Sequence, residues 1–362
     1  MEGDAVKKYD NHFLRIFVAV VVMLVTFVHY NPDFTVMGYS VTDIIYGIGR
    51  FAMPVFFMIS GYFLFSKDGH SESSIKIKVI RLLVLIVVMK IAYFILDLFR
   101  FGAGQIDVGK LLTDIIADPN YGVHEWFVYA LLIMYVAWWG FRRFKIDTKY
   151  LLWLGAVLLA ADIIVGEILP ILGVTSFGNF MTPMELGEIM YPFIAVFSFS
   201  VGYYLHKYRE RTDEYSNRFL LTLMFFGIVL MTAETLYVIC IGVYEGTSAG
   251  HPGPNMYVGS VITMLTVFIL SFRIREDCFR IPVLEYMGKY MLPWMYAFVF
   301  VGTCIIKEFV IREFHLFDQS DFIMYNVVGL ILAILIDVVL AFIVYQLLKK
   351  LFEHLAKKKV AA

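Results

Sequence analysis

The sequence predicts an all-α, polytopic integral membrane protein with about ten transmembrane helices. Three observations carry the prediction. Of 362 residues, 60% are hydrophobic and only 17% charged, against about 45–50% and roughly 25% in soluble domains. Apolar stretches close to the ~20 residues needed to cross a bilayer recur ten times. The basic residues fall unevenly between alternate links.

The ten stretches are 13–30, 46–66, 79–97, 124–141, 150–169, 187–206, 219–243, 256–272, 288–307 and 322–350. No small-residue cleavage site follows the first, which reads as a retained span rather than a signal peptide. The second holds the string RFAMPVFFMISGYFLF at 50–65, with Arg50 expected at its outer end, then Pro54 and the small pair Ser60 and Gly61. A cation, a helix-weakening proline and a small-residue notch in one span suggest a helix that lines something. Lys76, Lys78 and Arg81 open the third stretch, which carries Lys90, and His124 and Glu125 open the fourth. Asp162 and Glu167 close the fifth, Glu185 and Glu188 open the sixth, and Glu234 sits in the seventh. The tenth carries Asp337 and is long enough to emerge from the membrane. The links are short and polar, with 106–117 readable as a surface helix or as an ordinary turn. None could house a soluble domain, so residues 1–362 read as a single membrane domain.

With the N-terminus placed in the cytoplasm, alternate numbering of the links puts 24 Lys and Arg inside. Only Arg100, Lys110, Lys307 and Arg312 lie outside. That split fits an even number of spans, both termini cytoplasmic, in an inner (plasma) membrane. The formal net charge of −1 gives no reason to expect a nucleic-acid partner; the expected surroundings are the lipid bilayer. Cys240, Cys278 and Cys304 show no ligand spacing, so neither a structural disulfide nor a metal site is expected.

Ionisable groups inside spans cost roughly 2.5–3.5 kcal/mol each on insertion scales. His29, Arg50 and His124 are all expected near the outer face. An imidazole titrating near 6.5 can take a proton from a hydroxyl at neutral pH, which makes His29 the first candidate for a general base. Arg15 shares its helix face, but 14 residues set the two about 21 Å apart. Arg15 therefore faces the cytoplasmic side, where it could meet a phosphate. Lys78 and Arg81 are either positive-inside anchors or an anion clamp. Lys90 and Asp337, near mid-bilayer, are readable as an ion pair.

Four segments resemble acyltransferase family 3, in that family's order. The span from Arg15 to His29 resembles its Arg-then-His span; thirteen residues intervene here where the family has ten. The FFMISGY string at 56–62 is similar to its Phe-Phe-x-Ile-Ser-Gly-Tyr motif. Lys78 to Arg81 lies where the family has a basic motif, and HEWFVY at 124–129 is similar to His-x-Trp-Phe-x-Tyr. The ninth span, with Gly288, Lys289 and Tyr296, resembles a further motif. The histidine that often follows it is replaced by Ala297 and Phe298.

The resemblance implies a membrane O-acyltransferase. It would move an acyl group, expected to be acetyl, from cytoplasmic acyl-CoA to a hydroxyl of a sugar or cell-envelope glycopolymer. His29 would be the base. Arg50 and His124 would position the acceptor or stabilise the oxyanion. Lys78 and Arg81, with Arg15, would hold the CoA phosphates, and Ser60 and Gly61 could leave a passage for the pantetheine arm or simply pack closely. The competing reading is a secondary transporter of a polar or anionic solute, suited by Lys90 and Asp337. The absence of an internal repeat weighs against it.

Overall fold

The computed structural model describes residues 11–36, 38–64, 72–101, 125–164, 168, 169, 172, 186–240, 256–274, 280–313 and 321–358. The first helix, α1, spans His12–Tyr30. Asn11 caps it, its side chain accepting from the Leu14 N–H at 2.9 Å. Neither Pro nor Gly interrupts it, and it stops at Asn31 in the left-handed region (φ 48°), where the Asn31 N–H donates to the Phe27 carbonyl.

A two-stranded antiparallel ribbon follows, β1 (Thr35–Val36) pairing with β2 (Tyr39–Ser40). Helix α2 (Val41–Ile48) then runs through a 3₁₀ turn at Gly49–Phe51 into α3 (Ala52–Leu64). The three form one continuous apolar element, Val41–Leu64. The second crossing therefore starts earlier than 46, and Arg50 sits about 13–15 Å along it rather than at its outer end.

The next elements are α4 (Glu72–Phe101), α5 (Glu125–Arg143), α6 (Lys149–Ile163), α7 (Leu186–Lys207) and α8 (Arg209–Asp213). They are followed by α9 (Asn217–Cys240) and α10 (Val258–Ser271). Small residues decide how these helices meet. A side chain on Gly61 would overlap the Phe199 carbonyl, and one on Gly202 would overlap that of Met58, so α3 and α7 touch backbone to backbone. Gly155 admits α6 to Phe197 of α7 in the same way, and Gly259 admits α10 to Met231 of α9.

The ninth stretch is broken. It contains α11 (Pro282–Tyr286), a π-helical turn Met287–Met291, α12 (Leu292–Phe298), α13 (Val301–Cys304) and a second π-helical turn Ile305–Glu313. The two halves meet at 45°. Pro293 has no N–H for the Lys289 carbonyl, and the helix widens just before it. A third π-helical turn, Met324–Val328, leads into α14 (Gly329–Lys358). At 30 residues, α14 is about 45 Å long and exceeds the bilayer core.

Trp138, Tyr62, Phe57, Phe199, Met58 and Met134 are wholly buried, while Ile91, Val157, Phe225 and Leu347 face outward. An apolar exterior over an apolar core is the arrangement of a bundle solvated by lipid. The protein is thus an all-α, multi-pass membrane protein. Helical segments lie on all ten predicted stretches. By length and apolarity, five helices among the described residues suffice to cross a membrane, or six with the bent pair taken as one. The apolar helix α10, at 14 residues, is shorter than these.

Candidate active site

His29 is the penultimate residue of α1. Its half-buried ring stands edge-on to Phe300, with centroids 6.2 Å apart and planes at 89°. One turn deeper on α1, the Thr26 hydroxyl donates to Oδ2 of Asp337 at 3.0 Å. Oδ1 of the same carboxylate accepts the Gly302 N–H at 2.7 Å. Asp337 is therefore held by α1 and α13 rather than by Lys90, whose Nζ lies 5.9 Å from the centroid of the Tyr129 ring. The expected mid-membrane ion pair is replaced by hydrogen bonds. Gly302 is what allows it: a Cβ there would strike Asp337 and the Ala333 carbonyl.

Beside His29 the neighbouring Tyr30 is fully buried. Its hydroxyl donates to the Tyr325 carbonyl at 2.6 Å. Lys307 lies over both rings, at 4.9 Å from Tyr30 and 5.6 Å from Tyr325. Asn326 accepts the Asp33 N–H at 2.7 Å, tying the end of α1 to the π-helical turn before α14.

Arg50 belongs to a different cluster. Its guanidinium lies 5.2 Å from the Tyr46 ring centroid and 4.8 Å from that of Tyr257. Tyr257 precedes α10, whose start is met by two buried carboxylates. Glu234 accepts the Gly259 N–H with both oxygens, at 3.0 and 3.3 Å, and Asp162 accepts the Met256 N–H at 3.2 Å. Free N–H groups and the positive end of the helix dipole favour negative charge there. Their place within or at the end of apolar stretches was visible in the sequence; their burial and joint work at one helix terminus were not.

On the basic side, Arg15 is half-buried, with Glu285 and Tyr290 within electrostatic reach. Glu285 also meets Nδ1 of His12 at 2.6 Å. The Lys78 ammonium lies 5.4 Å from the ring centroid of Tyr135, which is hydrogen-bonded to Ser60, and Arg81 is exposed. The notch at Gly61 is filled by the Phe199 backbone, so the pair Ser60 and Gly61 is a packing contact and not a passage. His124 lies outside the described residues, as does the side chain of Glu125.

Among the described residues no group of three or more His, Cys, Asp or Glu is placed to hold a metal ion. No curated protein and no solved structure matches the chain. A family model described as an acyltransferase domain matches residues 11–347, a range that includes His29, Arg50, the basic start of α4 and the whole broken ninth stretch. The chain belongs to acyltransferase family 3, and it is a membrane acyltransferase.

Proposed function

We propose that the protein is an O-acyltransferase of the cell envelope, working as one membrane domain over residues 1–362. It crosses an inner (plasma) membrane ten times with both termini in the cytoplasm. It takes an acetyl group from acetyl-CoA at the basic, cytoplasmic face and delivers it to a hydroxyl of a sugar or glycopolymer near the opposite face. The observation that carries this reading is the placement of His29. A half-buried imidazole ends the first span, braced by Phe300, one turn beyond a helix-to-helix carboxylate lock.

In the proposed reaction the acceptor oxygen bonds to the thioester carbonyl carbon as its proton passes to a ring nitrogen of His29. The tetrahedral oxyanion then collapses and the carbon–sulfur bond breaks. The departing thiolate takes the proton back from the imidazolium, leaving an ester, free CoA and neutral His29. Arg50 and His124 would orient the acceptor or meet the oxyanion. Lys78 and Arg81, with Arg15, would hold the donor's phosphates; an ion cannot enter hydrocarbon cheaply, so that end stays at the basic face. Arg15 and His29 are about 21 Å apart along α1, which sets the reach between the two ends of the site.

Purified protein in lipid nanodiscs, given acetyl-labelled acetyl-CoA and envelope extract, tests the reading. Label appearing in a glycan fraction as an alkali-labile ester is the expected result. Absence of both label transfer and CoA release would overturn it.

A further inference from the structure

A cavity of about 340 Å³ lies between the ends of α5 and α7 and the start of α6. It is lined by Trp138, Arg142, Thr148, Tyr203, His206 and Lys207. Its volume falls within the range of small-molecule sites. Its position is the membrane face to which the sequence assigns most of the Lys and Arg residues.

The lining has two chemically distinct parts. Tyr203 forms the aromatic wall, its ring backed by the buried Trp138 at 4.5 Å between centroids and tilted 60° to it. Arg142 and Lys207 are exposed cations at the rim. Lys149 stands nearby but is paired with Asp147 at 3.2 Å. Asp147 in turn is held below the usual carboxylate range, chiefly by the Lys149 N–H and side chain, with Lys207 contributing. Between wall and rim sits His206, whose Nδ1 is buried and has no hydrogen-bond partner among the described residues. A buried polar atom without a partner is uncommon in a folded protein, and one lining a cavity fits a polar group of a ligand. Arg209 adds positive charge beside it.

An aromatic wall suits the flat face of a base, and an arginine with a lysine suits phosphate oxygens. We propose that this cavity is a purine-nucleotide site: the base lies against Tyr203, His206 meets a polar edge of the base, and Arg142 and Lys207 meet the phosphates. Resting on the reading of the donor as acetyl-CoA, the site receives its 3′-phosphoadenosine end. It adjoins the proposed donor clamp, because Lys78 contacts Tyr135 and both Tyr135 and Trp138 pack on Phe199.

The test is direct binding of radiolabelled adenosine 3′,5′-bisphosphate to the full-length protein in nanodiscs of neutral lipid. Saturable binding, displaced by CoA, is expected. Arg142→Ala and Lys207→Gln should each weaken it about ten-fold or more, while Arg143→Ala leaves it unchanged. Tyr203→Phe, which keeps the ring, should bind measurably, and Tyr203→Leu should bind poorly; comparable melting of the two variants separates lost stacking from lost folding. Binding that is equally displaced by inorganic phosphate or by vesicles of anionic phospholipid would overturn the proposal in favour of a headgroup site. So would unaltered binding in Arg142→Ala and Lys207→Gln. The two readings fail separately. Nucleotide binding without acetyl transfer sinks the proposed function alone; acetyl transfer with nucleotide affinity indifferent to Arg142 and Lys207 sinks the cavity assignment alone.

Discussion

The Thr26 hydroxyl and the Asp337 carboxylate, 311 residues apart in sequence, meet at 3.0 Å in the bundle interior. The bond joins the first helix to the last, one turn below His29. With the Gly302 N–H it compensates a carboxylate that apolar surroundings would otherwise penalise heavily.

Removing one partner should expose that penalty. Thr26→Val keeps the shape and deletes the donor, so Asp337 retains only Gly302 among these two contacts. The expected loss is about 1–3 kcal/mol, measured as a lower melting temperature in detergent. Acetyl transfer should fall as His29 loses its footing, and Thr26→Ser should restore much of both. A Thr26→Val protein with unchanged melting and turnover would show that the lock neither stabilises the bundle nor positions the histidine.

At His29 itself, substitution by Gln keeps a polar side chain without a basic nitrogen. Acetyl transfer should fall by about 10²–10⁴-fold, with normal membrane insertion and normal melting. Near wild-type turnover in His29→Gln would remove the residue from the chemistry.

Gly61 separates packing from passage. A methyl group in Gly61→Ala would press on the Phe199 carbonyl and force α3 from α7. Overpacking of this kind costs about 1–3 kcal/mol, so melting should drop while the KM for acetyl-CoA stays constant in the folded fraction. A raised KM at unchanged stability would mean that the donor does pass this point.

Sidedness can be read with single cysteines in a background where Cys240, Cys278 and Cys304 are Ala. Val36→Cys, in the exposed strand after α1, should react with an impermeant thiol reagent added outside intact cells. Lys145→Ala would be inert, whereas Lys145→Cys, in the exposed link between α5 and α6, should react only after the membrane is opened. The reverse pattern would invert the bundle and place the basic face outside.

Much of this protein was legible one stretch at a time. Apolar runs alone gave a helix on every predicted stretch, because in lipid a backbone has little choice but to satisfy its hydrogen bonds within the segment. The end position of His29 is equally local. The ninth stretch, expected as one unbroken span, is bent in the structure. What the tertiary structure decided is partnership. Hydropathy marked Asp337 as costly but could not choose between Lys90 and Thr26, since that choice depends on which helices touch. Arg50 was expected at a membrane edge because the span was counted from 46; the 3₁₀ turn that joins α2 to α3 carries the helix on and draws the arginine inward. Gly61 read equally well as a gap or a contact until Phe199 filled it. The cavity beside Trp138 draws its lining from residues 138 to 207, on two helices and the cap of a third, whose ends meet only in the assembled bundle. Local apolarity determines which segments enter the membrane, whereas a polar group's partner is set by long-range packing, which no window of the sequence contains.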